Sequence, residues 1–163
     1  VIGGGLPIGA IGGSRAVMEN LTPIGKVFHA GTLAGNPLAT AAGLAALNEL
    51  TQDVYMELGA RARALSTLLR DACLSAGIVA QFPVVGTLVG AFFGPNTPTN
   101  FDEAKQTDEK MYARLFHAML AEGVALAPGA YEALFVGLGH TDSVMQQLAE
   151  RTERAAHAAV RAQ

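Results

Sequence analysis

Charged side chains are scarce in this sequence. Only 15% of its 163 residues are Asp, Glu, Lys or Arg, half are hydrophobic, and the mean hydropathy is +0.30. Soluble domains average about 25% charged residues. A lone domain of this size has a large surface to cover with polar groups, and this sequence has few of them. We therefore expect much of its surface either to be buried against other polypeptide or to face a membrane.

The sequence also lacks the features of a membrane protein. The uncharged stretch 27–48 contains Gly31, Asn36 and Pro37, which do not suit a spanning helix. The apolar run 84–94 is too short to cross a bilayer core of about 30 Å. The glycine-rich start has neither the basic segment nor the apolar segment of a signal peptide. These absences favour burial against other polypeptide.

The sequence contains a single cysteine and no excess of positive charge. Cys73 is the single cysteine, so the chain cannot form an internal disulfide, and nothing indicates an oxidising compartment. The net charge of −3 and the pI of about 5.8 argue against nucleic acid as a partner. We expect a cytoplasmic chain with no nucleic-acid or membrane partner.

Turn and capping signals predict that the chain divides near residue 50. The first part is rich in glycine and almost uncharged. It should contain a short helix over 15–20 capped by Ser14, and a helix that begins at Pro37 with Asn36 as its N-cap.

The second part has the periodicity of a regular α+β unit. Apolar residues in the helix predicted for 53–76 recur at steps of three and four from Leu58 to Ala76, which defines one buried face. Gly77 should end this helix. The remaining predicted elements are two or three strands within 78–93, a helix over 102–123, strands at 124–126 and 134–138, and a helix from Thr141–Asp142 almost to the C-terminus.

The segment HAGTLAGNP, residues 29–37, is the strongest local signal for a binding site. Thr32 lies just before a helix start, between Gly31 and Gly35. Backbone N–H groups and a hydroxyl at such a place can bind an anion, and phosphate is the usual one. An ordinary glycine-rich turn, with the Thr hydroxyl bonded to its own backbone, explains the same pattern and is the preferred interpretation on local grounds alone.

Glu132 is the second candidate, because it stands in the apolar segment ALAPGAYEALFVGLG. A carboxylate there needs a partner or a cavity. A salt-bridged or edge-exposed glutamate and a functional glutamate fit the sequence equally well.

The sequence does not indicate a dinucleotide site or a metal site. The glycines of GGGLP and GAIGG do not make a dinucleotide fingerprint, since no helix with the right start and no suitably placed acidic residue follows. The four histidines and Cys73 lack the spacing of metal ligands. We expect His140 to bond to the backbone and Cys73 to fill the core.

Taken together, GGGLPIGAIGG, GTLAGNPLA and the long segment from DEAKQTDEK to APGAYEALFVGLGHT resemble the aminomutases of the class III aminotransferases. These are pyridoxal-phosphate enzymes that isomerise glutamate 1-semialdehyde to 5-aminolevulinate. The resemblance covers the whole chain but only the C-terminal part of the family's polypeptide. It implies an α/β protein of fold type I, with residues 1–50 completing the large cofactor domain and residues 51–163 forming the linking helix and the α+β C-terminal small domain.

The resemblance also implies site residues. Thr32 matches the threonine that binds the cofactor phosphate across a homodimer interface, Gly31 matches the glycine beside it, and Glu132 matches a glutamate that handles the substrate. The lysine that forms the Schiff base would directly precede Val1, so the chain itself would hold no catalytic residue. Lys26 stands in a different motif and is no substitute.

Two other functions fit the same residues. One is a class III ω-aminotransferase with net exchange of an amino group. The other is a non-catalytic interaction domain that keeps the fold. In a plant, the location implied by the resemblance could be the plastid instead of the cytoplasm.

Overall fold

The structure is a computed structural model that describes residues 2–161. The chain forms two compact units, residues 1–54 and 55–163. Within the described residues, the first contains two complete helices and the first residues of a third, and the second contains the sheet and most of the helical structure. That these units are the end of a large cofactor domain and a small domain stays a prediction.

Helix α2, Pro37–Glu49, dominates the first unit and begins where the sequence predicts. The Asn36 side chain accepts a hydrogen bond from the Ala39 amide at 2.9 Å, and Pro37 occupies the first helical position. Helix α1 is shorter than expected, Arg15–Met18, and the predicted cap is wrong because the Ser14 side chain makes no capping bond. The Val17 amide donates instead to the Ser14 carbonyl.

The first unit has almost no core of its own. Between residues 2 and 50 only Gly3, Ala39 and Gly43 are buried, and none of these is larger than alanine. A Cβ added at Gly43 would lie 2.3 Å from the carbonyl oxygen of Ile2. Glycine is therefore required where α2 packs directly on the N-terminal backbone.

Helix α3, Gln52–Ser75, supplies one side of the core of the second unit. Its predicted face is confirmed at Ala62, Leu65, Leu69 and Ala72, which are buried. The helix ends before Gly77, whose φ of +74° is readily adopted only by glycine.

A small antiparallel sheet follows, with strands β1 (Val84–Val85), β2 (Leu88–Val89) and β3 (Leu134–Phe135) in that order. Val85 pairs with Leu88 across a tight turn that contains Gly86 at φ +61°. Two strands were therefore correctly predicted within 78–93, and β3 is shorter than the predicted 134–138.

The helix predicted for 102–123 is wrong as one continuous element. It consists of α4, Phe101–Ala104, and α5, Glu109–Ala121. The break occurs because the Asp108 amide donates to the Phe93 carbonyl at 2.8 Å, while the Asp108 side chain caps α5 by accepting from Met111.

Residues 124–126 form no strand in the part of the chain described, contrary to the prediction. The Val124 amide donates to the Met119 carbonyl and completes the C-terminal turn of α5, with Gly123 at φ +77°. Helix α6, Asp142–Arg161, begins at the predicted position and packs against α5.

Candidate functional site

The turn Thr32–Gly35 stands directly before α2 and is organised by its neighbours. The Ala34 amide donates to the Gly31 carbonyl at 3.0 Å. The backbone amide and the side-chain amide of Asn36 both donate to the Leu33 carbonyl. Gly35 has φ +69°, as its position in the motif suggests, whereas Gly31 has no positive φ. Asn36 therefore fixes both the turn and the helix start.

The hydroxyl and the amide of Thr32 take no part in this hydrogen bonding. Thr32 is exposed, and within residues 2–161 neither its hydroxyl nor its amide makes a hydrogen bond. The bond from the hydroxyl to its own backbone, on which the ordinary-turn interpretation depends, is not formed. Two donors beside a helix N-terminus, with no acidic side chain in the turn, have the chemistry of an anion site.

Glu132 is exposed and folds back on its own loop. Its Oε1 accepts a hydrogen bond from the Gly129 amide at 2.9 Å, and its own amide donates to the Gly129 carbonyl at 3.2 Å. It forms no ion pair within the described residues. Of the alternatives left by the sequence, the salt-bridged glutamate is therefore excluded for this part of the chain.

A cavity of about 710 Å³ adjoins Glu132 in the second unit. Its lining is mainly apolar, from α3, α5, α6 and β3, and its polar members besides Glu132 are His140, Gln147 and Arg151. Glu132 thus lies where an apolar cavity meets the surface.

The hydrogen bonds of two tyrosines connect the segment that carries Glu132 to α5. The buried Tyr112 hydroxyl, on α5, donates to the Ala127 carbonyl, and the Tyr131 hydroxyl donates to the Glu109 carboxylate. Burial raises the pKa of Tyr112, and the nearby negative charge of Glu132 raises it further. The pKa of Tyr131 is raised first by its bond to Glu109. Sequence reasoning missed both tyrosines, because their partners lie 15 and 22 residues away along the chain.

His140 and Cys73 behave as predicted. The His140 Nδ1 accepts from the Gly137 amide at 3.0 Å. Cys73 is 1% exposed, and burial raises the pKa of its thiol to about 12. Among residues 2–161 no three His, Cys, Asp or Glu side chains cluster as metal ligands, and no described helix is long and apolar enough to cross a membrane.

Residues 1–154 match the sequence profile of the class III aminotransferases. The chain belongs to this family. Among curated relatives, it is 45% identical over 97% of its length to a glutamate-1-semialdehyde 2,1-aminomutase of Desulfosudis oleivorans, of which it covers 36%. It is 49% identical over 87% of its length to the enzyme of that name from an Acidovorax species, of which it covers 33%.

The class III fold is confirmed by a solved structure. A β-phenylalanine aminotransferase from Variovorax paradoxus superposes with a TM-score of 0.75 at 29% identity, over 93% of this chain and 35% of that one. The predicted α/β fold of type I is therefore correct. The chain spans about a third of the length of the relatives it matches.

The predicted site residues fall in both units. Gly31 and Thr32 are neighbours in the first unit, and Glu132 lies in the second. The position expected for the Schiff-base lysine, before Val1, is outside the described residues. The cofactor and substrate roles of Gly31, Thr32 and Glu132 remain predictions.

Proposed function

We propose that this class III chain belongs to a glutamate-1-semialdehyde 2,1-aminomutase, which converts (S)-4-amino-5-oxopentanoate to 5-aminolevulinate in tetrapyrrole biosynthesis. The observation that carries the proposal is the 45% and 49% identity to two relatives named for this reaction, against 29% to the β-phenylalanine aminotransferase. Similarity of this degree over nearly the whole chain favours the aminomutase over a net aminotransferase.

The Thr32 turn fits the phosphate of pyridoxal phosphate. The ester phosphate needs several hydrogen-bond donors and no nearby carboxylate, and Thr32 offers an exposed hydroxyl and amide at the start of α2. A Cβ at Gly31 would lie 3.2 Å from that of Ala34, so glycine keeps the turn compact. When bound, the cofactor supplies and accepts the amino group and stabilises negative charge at the substrate carbon.

The assembly follows from the same proposal. Residues 1–50 would complete the large domain, residues 51–163 would form the linking helix and small domain, and Thr32 would bind phosphate in the partner subunit of a homodimer. The rest of the polypeptide would supply the lysine. We place the enzyme in the cytoplasm.

Glu132 is proposed to bind the substrate at its amino group. A carboxylate that already accepts the Gly129 amide keeps lone pairs free for an ammonium donor. Because it is exposed at the edge of an apolar cavity, a ligand can reach it without displacing a buried ion pair.

The test is turnover by the full-length protein loaded with the amino form of the cofactor. Given (S)-4-amino-5-oxopentanoate alone, the aminomutase forms 5-aminolevulinate without an amino acceptor. An ω-aminotransferase would turn over only when an acceptor is added, and would release an oxo acid. An interaction domain would form neither product, with or without an acceptor.

A further inference from the structure

Side chains of α5 hold the segment 127–132, which pairs with no strand in the part of the chain that is described. Tyr112, 3% exposed, donates its hydroxyl to the Ala127 carbonyl at the start of the segment. β3 begins at Leu134 and pairs with β2, which fixes the other end. The segment that carries Glu132 is thus a short loop between two anchors.

We infer that Tyr112 is a positioning residue for Glu132: its hydroxyl bond to the Ala127 carbonyl holds the 127–132 loop so that the Glu132 carboxylate stays beside the Gly129 amide at the edge of the cavity. The inference rests on the proposed function, in which Glu132 meets the substrate. Tyr112 itself acts through the loop.

The residues around Tyr112 fix the orientation of its ring and therefore of its hydroxyl. The ring packs edge-on against Phe93, with centroids 6.0 Å apart, and the residue lies in the first turns of α5, whose start is capped by Asp108. Because its packing on Phe93 and its place in α5 both fix the ring, the hydroxyl is directed to one acceptor. Its hydrogen bond therefore sets the position of Ala127. Tyr131, bound to Glu109 of the same helix, adds a second anchor next to Glu132.

The position of the Glu132 carboxylate depends closely on this loop. A Cβ added at Gly129 would stand 2.7 Å from Oε1 of Glu132, so the carboxylate packs on the bare backbone of Gly129. Any shift of residues 127–129 would therefore move the amide that holds Oε1.

The experiment is a double-mutant cycle in the full-length holoenzyme, with Tyr112→Phe, Glu132→Gln and the pair. Tyr112→Phe keeps the ring and removes only the hydroxyl. Ser66→Ala is the matched control, because the Ser66 hydroxyl also donates to a backbone carbonyl, that of Phe82, and Ser66 does not line the cavity. Steady-state kinetics with (S)-4-amino-5-oxopentanoate and amide hydrogen exchange of residues 127–133 are measured for each variant.

We expect Tyr112→Phe to lower kcat/KM about fivefold to tenfold, mainly through KM, the size expected for one hydrogen bond. Ser66→Ala should change kcat/KM less than about twofold, since it leaves the loop intact. In the Glu132→Gln background, Tyr112→Phe should cost almost nothing more. Exchange in 127–133 should become faster in Tyr112→Phe and stay unchanged in Ser66→Ala.

Three results overturn the inference: full additivity of the two substitutions, equal kinetic losses in Tyr112→Phe and Ser66→Ala, or no change of exchange in the loop. A Tyr112→Phe protein that does not fold also overturns it, because the hydroxyl would then be required for the fold and not specifically for the position of the loop. Failure of the proposed function is seen separately, because the unsubstituted holoenzyme would then form no 5-aminolevulinate, and the inference would fall with it.

Discussion

Thr32 is the residue whose contacts differ most between an ordinary turn and a binding site. Its hydroxyl is the donor that the turn itself leaves unused in the described chain. Removing it should therefore affect a ligand and leave the turn intact. In an enzyme of this family the ligand would be the cofactor phosphate.

Thr32→Val in the full-length protein should weaken binding of pyridoxal phosphate by about 1.5–3 kcal/mol, the value of a charge-assisted hydrogen bond. The measurement is titration of the apoenzyme, followed by cofactor absorbance. Thr32→Ser keeps the hydroxyl and should bind almost as the unsubstituted protein does. Pyridoxal without its phosphate should bind both variants alike, and unchanged affinity of Thr32→Val for the phosphate form would remove Thr32 from the site.

Cys73 gives a residue-scale prediction that depends on pH. Burial disfavours the thiolate and raises the pKa from the ordinary 9.0 to about 12. Since the thiolate is the reactive form, a thiol reagent should not modify the folded protein between about pH 8 and 10, although an exposed cysteine would react readily. The unfolded chain in urea should react at once.

The linked effect on stability has a definite sign. Because the folded-state pKa is the higher one, the stability that burial of the neutral thiol contributes is complete below pH 9 and is lost as the pH rises toward about 12. Rapid labelling of the folded protein at pH 8 would show that the helix around Cys73 opens or that the thiol is not buried.

At the scale of the element, the break between α4 and α5 determines where Tyr112 stands. Asp108→Ala removes the side chain that accepts the Met111 amide, and this should cost about 1 kcal/mol of the free energy of unfolding. Asp108→Asn keeps an acceptor at the cap and should cost much less. Urea unfolding of the full-length protein measures both.

The Asp102→Ala variant is a control for the loss of a carboxylate. Asp102 pairs with Lys105 on the surface of α4, with a side chain that is 86% exposed, and such pairs contribute little. A loss for Asp102→Ala equal to that for Asp108→Ala would mean that charge, and not capping, explains the effect.

The elements also show what a sequence can predict. Asn36, Gly77 and Gly123 act on their own few neighbours, so their spacing alone located helix ends correctly. The break at Asp108 depends on a hydrogen bond to Phe93, and the strand expected at 124–126 is replaced by a bond back to Met119. For the first of these, the partner Phe93 lies in the segment that follows β2, and periodicity does not identify such a partner.

The same distinction holds for the candidate site. The Thr32 turn could be predicted as a candidate because its glycines, hydroxyl and helix start are contiguous in the sequence, and its binding role stays a prediction. Tyr112 could not, because in the sequence it is one more large residue on the buried face of α5. Its relation to Glu132 exists only once the loop 127–132 has folded.

At the scale of the whole molecule, the two units differ in how many large apolar side chains they bury. In the described part of the second unit, 19 buried hydrophobic residues form a continuous core. Residues 2–50 of the first unit bury no side chain larger than alanine and expose large apolar ones, among them Ile24 at 77%, Phe28 at 80% and Leu38 at 70%. We expect apolar side chains exposed to this degree to be covered by other polypeptide.

We therefore predict that residues 1–163, produced alone, self-associate and bind a hydrophobic dye such as ANS, whereas residues 51–163 produced alone do so much less. Light scattering after size-exclusion chromatography measures the first property, and dye fluorescence the second. The full-length protein should bind the dye weakly, because the remaining polypeptide and a second subunit would cover the apolar residues of the first unit. A monomeric 163-residue chain that does not bind the dye would show that this unit covers its own apolar surface, and the proposed interface would then lose its physical basis.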